Sequence, residues 1–173
     1  MSDIEQRLAW IEARLRRAED QLEILHLLNS YGPAVDSGSG TIAAAQWVCG
    51  GLYEFGDANG TQRATAPDGL IALYEGSFHQ ELVRAGSAHL TATPKIVVDG
   101  DRAVAVGYSF VIVRRDDHWS VERSAINRWT LVREAQGWRV EERVNRALDG
   151  SPASHALMRA MPGEALDRGI DPG

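Results

Sequence analysis

The sequence predicts an α+β fold: helices in the first half of the chain, then an antiparallel sheet. Two observations carry this. Apolar residues recur at helical spacing up to about residue 86, and beyond it the chain turns to Val, Ile, Trp, Tyr and Thr with partial alternation. Runs of helix followed by runs of strand place the helices on one face of the sheet.

Residues 3–30 read as one long helix. Ile4, Leu8, Ile11, Leu15, Ala18, Leu22 and Leu25 alternate spacings of four and three, an apolar seam. Either its second half packs on the core while the first turns are solvated, or residues 3–18 meet another subunit. Arg16 stands one turn from both Glu12 and Asp20, an ion-pair spacing on the wet side. Gly32 and Pro33 are expected to kink the helix, because proline removes a donor and crowds the Asn29 carbonyl. A short turn then reaches Asp36. Ile42–Val48 reads as a second helix capped by Thr41, and Leu52–Phe55 as a short strand. Asp68 opens a third helix, with Leu70, Leu73, Tyr74, Phe78 and Leu82 on one face, ending near Gly86.

Four long strands follow: Ser87–Val98, Arg102–Arg115, Trp119–Arg133 and Gly137–Leu148. Asp99-Gly100 is a two-residue hairpin signal. Pro94 marks an edge or a bulge in the first of them. Residues 1–150 are expected to form one domain. Residues 151–173, with three prolines and an apolar cluster at Leu157, Met158 and Met161, form a tail that either moves or folds over a cavity mouth.

Composition narrows the function. The 173 residues are 44% hydrophobic and 24% charged, with a net charge of −6. No basic stripe is present to hold a phosphate backbone, so no nucleic-acid partner is expected. One cysteine, Cys49, excludes an intrachain disulfide and a multi-cysteine zinc site. It has no neighbour that would activate it as a nucleophile. No apolar run approaches the ~18 residues of a membrane span, and the charged N-terminus is unlike a signal peptide, so a cytoplasmic protein is expected. No glycine pattern suits a phosphate, and no cofactor or metal is expected.

The segments Leu28-Asn-Ser-Tyr31…Val35-Asp36, Val97-Val-Asp-Gly-Asp-Arg-Ala103 and Gly137-Trp-Arg-Val-Glu-Glu-Arg143 resemble the SnoaL-like group of the nuclear-transport-factor-2-like superfamily. The resemblance spans roughly residues 20–148. It implies a cone-shaped, curved, mainly antiparallel sheet wrapped by about three N-terminal helices, the first of them long. Some members are cofactor-free enzymes: scytalone dehydratase, hexachlorocyclohexane dehydrochlorinase and bile acid dehydratase. In these an Asp from the first helix hydrogen-bonds a His on the first long strand. Asp36 and His89 match those positions, and Tyr31, Asn127 and Arg143 match a helix tyrosine, a strand asparagine and a strand arginine. Gly32-Pro33 and Asn59–Arg63 depart from the group.

Read as chemistry, His89 suits a general base and Asp36 the carboxylate that orients it. Each has a structural alternative: a histidine satisfied by backbone groups, an Asn127 on the outer face, an Arg143 paired with Glu141 or Glu142, a Tyr31 that only packs. Alternation puts Ala125, Asn127 and Trp129 on one face, with Trp129 as a cavity wall, and offers Tyr108, Phe110 and Ile112 as apolar lining or core. His26, His79, His118 and His155 read as structural or solvated.

Two functions fit best. One is a lyase, dehydratase-like, or an isomerase acting on an apolar small molecule, with aromatic and polycyclic compounds as the candidates. The other is a non-catalytic binder or an oligomeric interaction protein on the same fold. Valines and isoleucines at both parities of residues 104–113, together with the helix seam, point to a homo-oligomer, a dimer or trimer.

Overall fold

A computed structural model describes residues 2–57 and 59–160. Its first element, helix α1, runs unbroken from Asp3 to Asp36 with Pro33 inside it. The helix is therefore not broken at Gly32-Pro33, and Asp36 belongs to it. Proline near a helix C-terminus costs one backbone hydrogen bond, and the buried face formed by Ile24, Leu28, Tyr31, Gly32 and Val35 keeps the last turns on the sheet. Ser2 and Glu5 form a capping box at the other end. Residues 2–19 are exposed throughout, with Ile4, Leu8, Ile11 and Leu15 open to solvent. Asp20 does not join Arg16; it is buried and pairs with Arg133 at 2.5 Å.

Helix α2 (Gly40–Ala44) is shorter than expected. Trp47 and Val48 instead begin strand β1 (Trp47–Asp57), which pairs with an unforeseen strand β2 (Gly60–Thr65). The expected third helix is two, α3 (Asp68–Glu75) and α4 (Ser77–Ala85), divided at Gly76. The first long strand is also two, β3 (Ser87–Thr91) and β4 (Lys95–Asp99), both antiparallel to β5 (Arg102–Arg115). The break falls at Pro94, which crosses Gly107 so closely that a Cβ there would sit 2.9 Å from the proline Cα. Strands β6 (His118–Glu134) and β7 (Gly137–Ala147) complete a meander with β5.

The result is one curved seven-stranded sheet in the order β2-β1-β7-β6-β5-β3, with β4 also on β5. All pairings are antiparallel except β1 with β7. Helices lie against one face, so the α+β cone is the observed architecture. The core joins Ile24, Leu28 and Val35 of α1 and Leu70 of α3 to Ala103, Ala105, Leu131, Trp138 and Val140 of the sheet. A last helix, α5 (Pro152–Arg159), packs on β6 and β7 and contains Leu157 and Met158; Met161 lies outside the described residues. Among the described residues no helix is long and apolar enough to cross a membrane.

Candidate active site

The sheet's inner face is closed at one end by α1 and open at the other. The open end holds a cavity of about 1110 Å³ bordered by α1, α4, β1, β3, β5, β6 and β7. A smaller cavity, about 310 Å³, lies apart from it around Trp47, Cys49 and Ile71.

Asp36 and His89 meet at the larger cavity. The last turn of α1 lies on β3 because residue 32 is glycine: a Cβ there would stand 1.8 Å from the His89 carbonyl oxygen. That approach brings the Asp36 carboxylate to three donors. The His89 backbone N–H donates at 2.6 Å, the His89 Nδ1–H at 2.7 Å and the Ser87 hydroxyl at 2.8 Å. Burial pushes the Asp36 carboxyl up, but the hydrogen bonds and charge of His89, with the Ser87 hydroxyl, outweigh burial and hold it below its ordinary value. An ionised Asp36 keeps hydrogen on His89 Nδ1 and leaves Nε2 as the basic nitrogen. Both side chains are about one-fifth exposed, and His89 borders the cavity.

A second histidine backs the first. His79, read from sequence as structural or solvated, is buried on α4 and stands in the cavity wall, its ring 5.5 Å from that of His89. Its Nδ1–H donates to the Tyr74 carbonyl at 3.0 Å, while its Nε2 has no hydrogen-bond partner. Burial, then the neighbouring His89, pull its pKa below the ordinary value and favour the neutral ring.

Tyr31 borders the cavity and its hydroxyl bonds that of Tyr74. Burial pushes the Tyr31 pKa up to about 12, so it is a neutral donor and not a base.

Arg143 lies on β7 opposite Trp129 and is only 7% exposed. Its guanidinium carbon sits over the rings of Tyr53, Tyr31 and Trp129 at 4.8, 5.1 and 5.5 Å. Its Nε–H donates to Asn127 Oδ1 at 2.9 Å, and it also hydrogen-bonds the Tyr31 hydroxyl. It pairs with neither Glu141, which holds Arg102, nor Glu142, which stands 3.8 Å from Arg128. A desolvated cation over an aromatic face gains about 2 kcal/mol, which offsets part of the burial cost.

Asn127 is fully buried on the same inner face. Its Oδ1 accepts from Arg143 and from Asn145 Nδ2 at 2.7 Å, and its Nδ2 donates to Ser109 Oγ at 2.8 Å. These contacts make it a brace for Arg143 instead of a ligand contact. Trp129 is likewise buried beneath Arg143 and does not border the cavity, a correction to its assignment as a wall. Tyr108 is corrected too. Gly107 and Ser109 face Asn127, so Tyr108 between them lies on the other face, 44% exposed. Phe110 is half-buried and borders the cavity. Tyr53, Tyr74, His79, Ser87 and Asn145 are the site residues that sequence reasoning passed over. Among the described residues no three His, Cys, Asp or Glu side chains converge to hold a metal ion.

The SnoaL-like domain profile matches residues 16–144, most of the chain. The protein belongs to the SnoaL-like family. Solved structures place that family within the nuclear-transport-factor-2-like fold. An NTF2-like protein with a cystatin-like fold from Novosphingobium aromaticivorans is 36% identical, with a TM-score of 0.79 over 86% of this chain and 94% of its own. A protein of unknown function from Mycobacterium tuberculosis is 24% identical, with a TM-score of 0.60 over 88% and 81% of the two chains. A Catenulispora acidiphila protein in complex with S-DNPA is 20% identical, with a TM-score of 0.63 over 73% and 91%. No curated protein matches the sequence significantly.

Proposed function

We propose that this SnoaL-like protein is a cofactor-independent lyase of the dehydratase type, or an isomerase, for a mainly apolar small molecule. The observation that carries this reading is the 2.7 Å hydrogen bond from His89 to Asp36 beside a cavity of about 1110 Å³. His89 Nε2 takes a proton from carbon next to a carbonyl, and Asp36 stabilises the imidazolium. The electron pair moves onto the carbonyl oxygen, where the neutral Tyr31 hydroxyl and the Arg143 cation meet the developing charge. As the carbonyl re-forms, the electrons expel a hydroxyl from the β carbon. His89 returns the proton to it, giving water and an alkene, or returns it to a different carbon in an isomerisation.

The test is a panel of β-hydroxy ketones and hydroxylated aromatic or polycyclic compounds, followed by absorbance of the conjugated product. With a turned-over compound, His89→Ala should lower kcat by about 10²–10⁴-fold, the usual contribution of a positioned base, with an unchanged circular dichroism spectrum. Full activity in that variant would remove His89 from the mechanism. A panel that binds without turnover would favour the binding-module reading.

The same proposal includes a cytoplasmic homo-oligomer, dimer or trimer. Its support is the row Ile4, Leu8, Ile11 and Leu15, each more than half exposed on a helix that projects beyond the core. Sedimentation equilibrium should give a multiple of 18.9 kDa, and deleting residues 1–18 should weaken the assembly. A monomer mass at micromolar concentration would sink this part.

A further inference from the structure

Most ion-paired arginines of this protein lie on or near its surface, each with a carboxylate. Arg63 and Arg146 share Glu54, Arg102 has Glu141, Arg115 has Glu122, Arg128 approaches Glu142, and Arg133 has Asp20 and Asp101. Among the described residues most arginines without an ion pair are exposed to solvent, but two border the cavity. Arg143 contacts aromatic rings, the Asn127 amide and the Tyr31 hydroxyl. Arg123 donates from Nη2 to Asn145 Oδ1 at 2.6 Å. Asn145 in turn donates to Asn127, so one chain of neutral amides links the two cations.

The acidic residues on the cavity rim do not close this gap. Glu122 pairs with Arg115 at 2.5 Å, Asp57 accepts from the Asn59 N–H, and Asp149 accepts from the Ser151 N–H. No carboxylate among the described residues comes within ion-pair distance of Arg143 or Arg123. Asparagine braces fix both guanidinium groups without neutralising them. The Arg143 charge is desolvated, so it attracts an incoming anion more strongly than a surface arginine would.

We propose that the ligand supplies the missing counter-ion: an apolar, ring-bearing molecule with one carboxylate, seated against Arg143 and drawn in by Arg123. This rests on reading the cavity as the reaction site, and it narrows the substrate to acids. The carboxylate takes donors on Arg143 that Asn127 and Tyr31 leave free, a charge-assisted contact. The apolar body lies along Phe55, Leu73 and Leu82, toward His89.

Calorimetric titration with 2-naphthoate and 2-naphthamide tests it, because the two differ in charge and hardly in shape. Naphthoate should bind at least about tenfold tighter, as expected for a charge-assisted contact. The preference should shrink with rising salt at Arg123, the more exposed cation. Arg143→Met should bring the ratio close to one, and Arg123→Gln should weaken naphthoate a few-fold while sparing the amide. Should Arg143→Met fail to fold, Arg123→Gln and the wild-type ratio decide. Equal affinities, a preference for the amide, or no binding of either probe at millimolar concentration would overturn the inference. His89→Ala separates it from the catalytic reading: a charge preference that persists there without turnover in any form of the protein defeats the lyase alone. Turnover of neutral compounds without a charge preference defeats only the acid-substrate inference.

Discussion

Arg133 and Arg143 stand on the inner face of the same sheet, near opposite ends, and the contrast between them divides the molecule. Arg133 lies over Trp138 at 4.5 Å and pairs with Asp20 at 2.5 Å and Asp101 at 3.0 Å. Arg143 also sits over aromatic rings, yet its polar contacts are an amide and a hydroxyl. At the closed end the cation is fully used in tying α1 to the sheet. At the open end a buried cation is held in position with no carboxylate partner among the described residues. Unpaired arginines on the surface, such as Arg84 and Arg114, leave their charge to water, whereas Arg143 is buried, and the proposed anionic ligand accounts for that difference.

The largest effect expected from this contrast is at the closed end. Arg133→Met leaves the buried Asp20 carboxylate, among the described residues, with only the Trp138 Nε1–H at 3.4 Å. Breaking a buried pair costs about 3–5 kcal/mol. Arg133 is partly exposed, so a loss just below that range, about 2–3 kcal/mol, is expected from urea unfolding. A loss below about 0.5 kcal/mol, the level of an ordinary surface substitution, would show that the ion pair does not anchor the helix.

The same contrast explains how far the sequence could be read. Period-two patterning and the Asp99-Gly100 turn made β5, β6 and β7 legible, and the family resemblance picked out Asn127 and Arg143, which both lie on the inner face. Strand β2 escaped because Gly60–Thr65 is exposed at all but one position and pairs on one side only, so no apolar alternation marks it. Paired glycines ordinarily mark the end of an element, whereas Gly50 and Gly51 both lie inside β1. The helix seam gave α1, but Gly32 looked like a break when its missing Cβ is what lets Asp36 reach His89. Tyr74 and His79 were hidden for a different reason. A side chain at core spacing on a helix looks the same whether it meets packed carbon or the wall of a cavity. Tyr108 and Phe110 share a parity, yet only Phe110 borders the cavity. Both sit in unbroken register on β6, opposite Ile126 and Ser124, so parity alone does not separate them.

The smallest expected effect is the most informative one. Arg143→Met removes a buried cation without leaving a polar group alone, because Asn127 Oδ1 keeps its 2.7 Å bond from Asn145 and the Tyr31 hydroxyl keeps Tyr74. The methionine thioether fits among the three rings that now hold the guanidinium. Replacing a buried charge by an apolar side chain of similar length is often neutral or stabilising. The unfolding free energy of the ligand-free protein should therefore change by less than about 1 kcal/mol, against the clear loss at Arg133. A similar loss at both positions would mean that Arg143, too, is part of the scaffold, and the division between a structural end and a binding end would fail. A near-zero change, with ligand binding impaired, would mean that this charge is retained for what enters the cavity and not for the fold.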